Sequence, residues 1–168
     1  MTSIIKVDQI QSSSGTGGLS IDSNGYLLTP NRPSFRAYDV ANVTKGVTGA
    51  IVFNTPAHNV GGHYDATTGV FTAPVGGTYQ FNFLAFNSNS SGNMVASNST
   101  TNVILQKNST TTLMRQYNQV QAAGYHNMSF SSAVSLTAND TIQMYVSGGY
   151  IYTDTSGAYL QFSGYLVG

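Results

Sequence analysis

His58, His63 and Asp65 stand within eight residues of one another in HNVGGHYDATTG. Imidazole and carboxylate are zinc ligands, but a stable zinc site needs at least three protein groups held by oriented partners. Along a strand, residues of equal parity share a face. His63 and Asp65 therefore fall together, whereas His58 points the other way unless the Gly61-Gly62 pair turns the chain. Two ligands are too few, so no zinc site is expected. A Ser-His-Asp hydrolase needs its serine on a Gly-x-Ser-x-Gly elbow before a helix, and SNSSGN and FSGYLVG do not supply one. Paired-carboxylate catalysis needs two acids facing each other, while the six acidic residues, all aspartates, are scattered along the chain. No enzyme is expected.

The same stretch makes better sense as backbone control. DATTG, residues 65–69, is a polar connection ending in glycine between GGHY and VFTAP, which reads as the loop of a hairpin. Pro74 and the glycines after it end the second strand and open TYQFNF. The rest of the chain carries the same signature, rich in Gly, Ser, Thr, Asn and Tyr, which favours strands and turns over helices. Strands are expected near 34–39, 50–54, 69–73, 78–87, 102–107, 113–118, 127–136, 141–147 and 158–167, at the short spacing of a sandwich or barrel.

In GTYQFNFLAF one face carries Tyr79, Phe81, Phe83 and Ala85, and the other becomes apolar towards Leu84 and Phe86. In DTIQMYVSG and AYLQFSGYLVG both faces again carry large groups. An isolated sandwich alternates more cleanly, because one face of each sheet meets water. A second apolar face therefore points to subunit contact, with Tyr145, Tyr159 and Tyr165 as its candidate residues.

At 168 residues the chain suits one domain with a short extension. Charged residues make up 7% and the formal net charge is +0, so there is no basic surface for phosphates and nucleic acid is not an expected partner. Without cysteine there are no disulfides, thiolate sites or cysteine nucleophiles. MTSIIKVDQIQSSSG lacks the apolar core of a signal peptide, and no stretch is long enough to insert in a membrane, so export by the usual route is not expected. Residues 1–34 read as an extended arm, with short alternating runs around SNG that have no core of their own and need a neighbour.

From Phe53 onward a spaced pattern emerges, carried by Phe53, Asn54, Asn59, Gly61, Tyr64, Gly69, Phe71, Pro74, Gly77, Tyr79 and Phe81, and closed by Phe162 and Gly164 in FSGYLVG. It resembles the globular head domain of the complement C1q family, related in fold to tumour necrosis factor, over about residues 33 to 168. The resemblance implies an all-β, ten-stranded jelly-roll sandwich over residues 35–168 that assembles as a homotrimer, its terminal strands adjacent at the base. The arm and low charge resemble virion appendage proteins of bacteriophages, tail fibres of marine phages in particular.

Some members of the C1q family bind calcium through aspartates near the distal end, so Asp154, with Asp140 behind it, is the calcium candidate here. No other cofactor is expected. The Ser/Asn/Gly/Tyr loops 87–102, 107–112 and 118–127 suit adaptable recognition or plain solvation; Asn93, Asn98, Tyr125, His126 and Tyr152 are the candidate receptor-loop residues. The expectation is a virion protein, a trimeric tail fibre or spike whose residues 1–34 engage other virion proteins and whose head binds a host-surface glycan or protein. The alternatives are a capsid head-fibre or decoration protein, and a non-viral soluble glycan-binding or adhesion module.

Overall fold

The computed structural model describes residues 7–41, 45, 46, 48–89, 91 and 99–168, with backbone alone at 45 and 46. Asn93 and Asn98 lie outside the described residues. The chain divides into two compact units, Met1–Arg32 and Pro33–Gly168.

The first unit is a three-stranded antiparallel sheet, β1 (Gln9–Gln11), β2 (Gly17–Ile21) and β3 (Leu27–Leu28). Its second turn forms because the Asp22 carboxylate accepts the backbone N–H of Asn24 at 2.9 Å and of Tyr26 at 2.8 Å. Three short strands cannot close over one another, and Ile10, Tyr26 and Leu27 remain more than half exposed at 55%, 67% and 65%.

The second unit contains β4 (Ser34–Tyr38), β5 (Lys45–Gly46), β6 (Gly49–Ala50), β7 (Thr55–Val60), β8 (Tyr64–Asp65), β9 (Val70–Thr72) and β10 (Gly77–Ser88). It continues with β11 (Thr100–Lys107), β12 (Thr111–Gln119), β13 (Asn127–Leu136), β14 (Thr141–Gly148), β15 (Tyr150–Tyr152) and β16 (Gln161–Leu166). One seven-stranded sheet runs β7-β4-β16-β10-β13, with β15 and β5 extending it beside β10. The other, of six strands, runs β12-β11-β14-β9-β8, with β6 on β14. It is an all-β jelly-roll sandwich, and among the described residues there is no helix. Short pairings and an additional strand make the segments more numerous than the ten expected.

Two expectations change. The 50–54 strand reduces to Gly49–Ala50, and the longer strand is Thr55–Val60, which contains Pro56. A proline cannot donate to a ladder, and β7 accommodates it by lying at the sheet edge opposite a register shift at Arg36/Ala37. The 158–167 strand shortens to Gln161–Leu166, and an additional strand, Tyr150–Tyr152, pairs with β10 beyond it, with a loop at 153–160 between the two.

Alternation fills the space between the sheets with rings. Phe35, Phe53, Phe71, Tyr79, Phe81 and Phe162 are fully buried. Phe35 meets Phe162 edge-on at 5.1 Å and stacks on Phe71 at 5.2 Å, and burial of each ring contributes about 1.5–3 kcal/mol. Gly164 is required there, because a Cβ would stand 2.6 Å from the Phe81 ring and 2.8 Å from Phe35. The chain ends of this unit meet at one end of the sandwich: β4 pairs with β16, Leu166 N–H reaches Pro33 O at 3.0 Å, and Thr78 N–H reaches Gly168 O at 2.7 Å.

Candidate recognition site

The polar residues that first suggested chemistry are consumed by turns. Gly61 and Gly62 take φ of +80° and +71°, reversing the chain between β7, which carries exposed His58, and β8. Asn59 then clamps the start of β8, donating from Nδ2 to Tyr64 O at 2.7 Å and accepting Tyr64 N–H at 3.1 Å. The Tyr64 hydroxyl is buried against Phe53, donating to its carbonyl at 3.1 Å, and desolvation pushes its pKa up. Asp65 accepts the Thr67 N–H at 2.8 Å and the Thr67 and Thr68 hydroxyls at 2.6 and 2.8 Å. Those hydrogen bonds, led by the Thr67 hydroxyl, hold its pKa down at about 2. The hairpin expected at DATTG is present, with Asp65 opposite Val70. Among the described residues no three His or Asp side chains come together as a metal site.

Asp140 does not stand behind Asp154. Asp140 precedes β14, and Asp154 follows β15, beyond the far end of β14. The Asp140 carboxylate is taken up by Lys107 Nζ at 2.7 Å, Asn108 Nδ2 at 2.9 Å and the Thr137 N–H and hydroxyl at 2.8 Å each. The lysine first, then these donors, keep its pKa well below the usual carboxylate range. Asp154 binds within its own loop, accepting Ser156 N–H at 2.9 Å and the Ser156 hydroxyl at 2.6 Å.

The tyrosines divide. Tyr145 lies on the outward face of β14, since Ile142, Met144 and Val146 fill the core. Tyr165, paired with Gln80, lies on the outward face of the other sheet and is 45% exposed. On that outward face polar side chains link four strands: Gln80 Nε2 of β10 donates to Ser131 Oγ of β13 at 2.7 Å, Ser131 Oγ to Asn82 of β10 at 2.9 Å, and Arg36 of β4 donates to Gln161 Oε1 of β16 at 3.0 Å.

Towards the end away from the termini these polar groups give way to rings. Phe86 at the end of β10 is opposite Tyr152 of β15. Tyr159 meets Phe86 at 5.4 Å and 84° and Tyr152 at 5.3 Å and 80°, and Tyr125 from the 120–127 loop meets Tyr152 at 5.1 Å and 59°. Together these four rings line a cavity of about 270 Å³. Burial, then the nearby Asp154 charge, raises the Tyr152 pKa. Two residues considered for receptor contact and one for subunit contact thus share one pocket. Phe86 was not among the candidates; the apolar turn of its strand face was the signal for it. His126 instead braces the loop, its N–H donated to Asn87 Oδ1 at 2.8 Å and its ring Nε2 3.1 Å from Ala122 O.

A family model described as the C1q domain matches residues 35–167. The chain belongs to the C1q domain family. The globular domain of zebrafish complement 1qA is 15% identical and superposes with a TM-score of 0.63, covering 82% of this chain and 98% of that one. Murine APRIL at pH 5.0 is 11% identical with a TM-score of 0.63, covering 81% and 99%, and Eiger TNF from S. frugiperda is 10% identical at 0.59, covering 82% and 94%. These likenesses share the fold.

In this C1q domain the signature residues are scaffold in position as well as in pattern. Phe53, Tyr64, Phe71, Tyr79, Phe81 and Phe162 are core, and Gly164 seats against the rings of Phe81 and Phe35. Gly69, at φ +76°, leaves no room for a Cβ beside the Ile51 carbonyl. Gly77 lies against Leu166 and Gly168, where a Cβ would stand 2.8 Å from the leucine. Asn54 is exposed, accepting the Thr55 hydroxyl at 2.8 Å, and Pro74 is half-buried before the turn into β10.

Proposed function

We propose that the protein is a homotrimeric structural component of a bacteriophage virion, a tail fibre or spike. Its C1q domain recognises the host surface, and residues 1–34 attach it to other virion proteins. Proteins of the C1q and tumour necrosis factor type serve as trimeric binding modules, which favours binding over catalysis. The observation that carries the attachment role is the first unit's unclosed sheet, with Ile10, Ile21 and Leu27 exposed beside one another as a protein-binding surface would expose them. The low charge of 7% and the aromatic pocket away from the termini support presentation of a neutral recognition surface.

Two experiments test it. Mass spectrometry and electron microscopy of purified virions should find the protein at the tail; its absence from particles would reject the virion role, and a capsid location would favour decoration. Deleting residues 1–34 should abolish incorporation while sedimentation still reports a soluble trimer that attaches to host cells. A trimer that falls apart on deletion would show that the arm assembles the head rather than docking it.

A further inference from the structure

Three buried polar atoms between the two sheets have no hydrogen-bond partner among the described residues: Asn87 Nδ2, Thr101 Oγ1 and Gln116 Oε1. Asn87 and Thr101 are 0% and 1% exposed, and all three atoms are shut off from solvent by this chain alone. Assembly with further copies therefore neither exposes nor pairs them. A buried polar group left unpaired is costly, and native folds nearly always give it a partner.

The three belong to one end of the interior. Asn87 continues the core face of β10 after Ala85, and Thr101 opens that of β11 before Val103. Gln116, half-buried on β12, is paired with Val103, so it shares the face of Thr101 one diagonal step away. Gly149 ties the sheets together here. A Cβ on it would stand 2.6 Å from Thr101 Oγ1, and Ile151, two residues further on, pairs with Asn87. The sheets of a sandwich lie about 10 Å apart, so inward side chains from both meet between them.

Their chemistry is complementary. An amide Nδ2 only donates, an amide Oε1 only accepts, and a hydroxyl does either. The Asn87 amide is oriented by its other atom, because Oδ1 accepts the His126 N–H at 2.8 Å and leaves Nδ2 for the interior. A water molecule accepts from Asn87, donates to Gln116 and bonds Thr101, and three bonds are the usual complement of a buried water. A cation suits the set badly, since the Asn87 N–H would point its positive end at the ion.

We infer that Asn87, Thr101 and Gln116 hold an internal water that bridges the two sheets. It goes beyond the proposed function and is independent of where the protein acts. Because Asn87 also holds His126, the water joins the anchor of the 120–127 loop to the opposite sheet.

The test uses the full chain. Thr101→Val and Gln116→Met each remove one partner while keeping the bulk of the side chain. Each leaves the water short of a bond, so the unfolding equilibrium constant from urea melts should rise about fivefold. Were the three atoms simply unpaired, each substitution would remove a buried polar group and the constant would fall; a fall or no change overturns the inference. In the double variant the rise should be smaller than the product of the two single rises, because one shared water is lost once, and a full product overturns the sharing. Oxygen-17 relaxation dispersion reads the water directly and should count one long-lived molecule fewer in the double variant; an equal count rejects the site. Crystals of the unaltered protein keep the test decisive where a variant fails to fold. Density about 2.7–3.2 Å from all three atoms upholds the water. Direct bonds from these side chains to another segment overturn it, and anomalous density after exchange of sodium for rubidium overturns it in favour of a cation.

Discussion

Carboxylates with depressed pKa values are often read as sites, and here Asp65 and Asp140 show the other use of the same physics. Each is surrounded by donors from its own turn and its neighbours, so the charged form is solvated by the fold. For Asp65 the folded pKa of about 2 lies below the roughly 3.9 of an unfolded aspartate. A depressed carboxylate stabilises fully above its unfolded value and loses that contribution as pH falls through its folded value. Asp65→Ala should therefore lower the melting temperature at neutral pH. The gap from the parent protein should close between about pH 4 and pH 2. Thermal melts across that range check both, and a gap that persisted at the acid end would show that side-chain packing rather than the charge was lost.

At the scale of elements, the 120–127 loop connects β12, an edge of one sheet, with β13, an edge of the other. It is tied down by Asn87, whose buried side-chain Oδ1 accepts the His126 N–H at 2.8 Å while the Asn87 backbone N–H donates to His126 O at 3.0 Å. Asn87→Ala leaves a donor unpaired at the loop, a loss of about 1–3 kcal/mol. It should speed hydrogen exchange at residues 121–127 ahead of the core strands, and weaken any ligand that uses Tyr125. Strand existence was legible in the sequence wherever alternation was long, as in Gly77–Ser88 and Asn127–Leu136. β7 was hidden by Pro56, because edge position, which makes a proline tolerable, is a property of the sheet and not of the segment. The pocket was hidden for a related reason. Tyr125, Tyr152, Tyr159 and Phe86 are separated in the chain by up to 73 residues, from 86 to 159, and only pairing along β10 brings them together.

For the whole molecule, the near absence of charge leaves packing and hydrogen bonds as the sources of stability. Lys107 and Asp140 form an ion pair at 2.7 Å. Its lysine and aspartate side chains are 26% and 11% exposed, so salt screens this single contact only in part. Raising sodium chloride from about 0.05 M to about 1 M should move the melting temperature by no more than about 2 °C. Differential scanning calorimetry checks this, and a large fall would reveal electrostatic contacts between subunits. The loop between β15 and β16 has a further consequence. Phe86 and Leu84, two residues apart on β10, bind Tyr152 and Gln161, nine residues apart along the chain. One template strand thus fixes both feet of the intervening loop, while Thr153 and Leu160 anchor it below and Thr155 and Ser156 stand exposed at its tip. Length and composition at that tip are uncoupled from strand register, which makes it a cassette: new specificities can be grafted or can evolve there without refolding the sandwich that holds them.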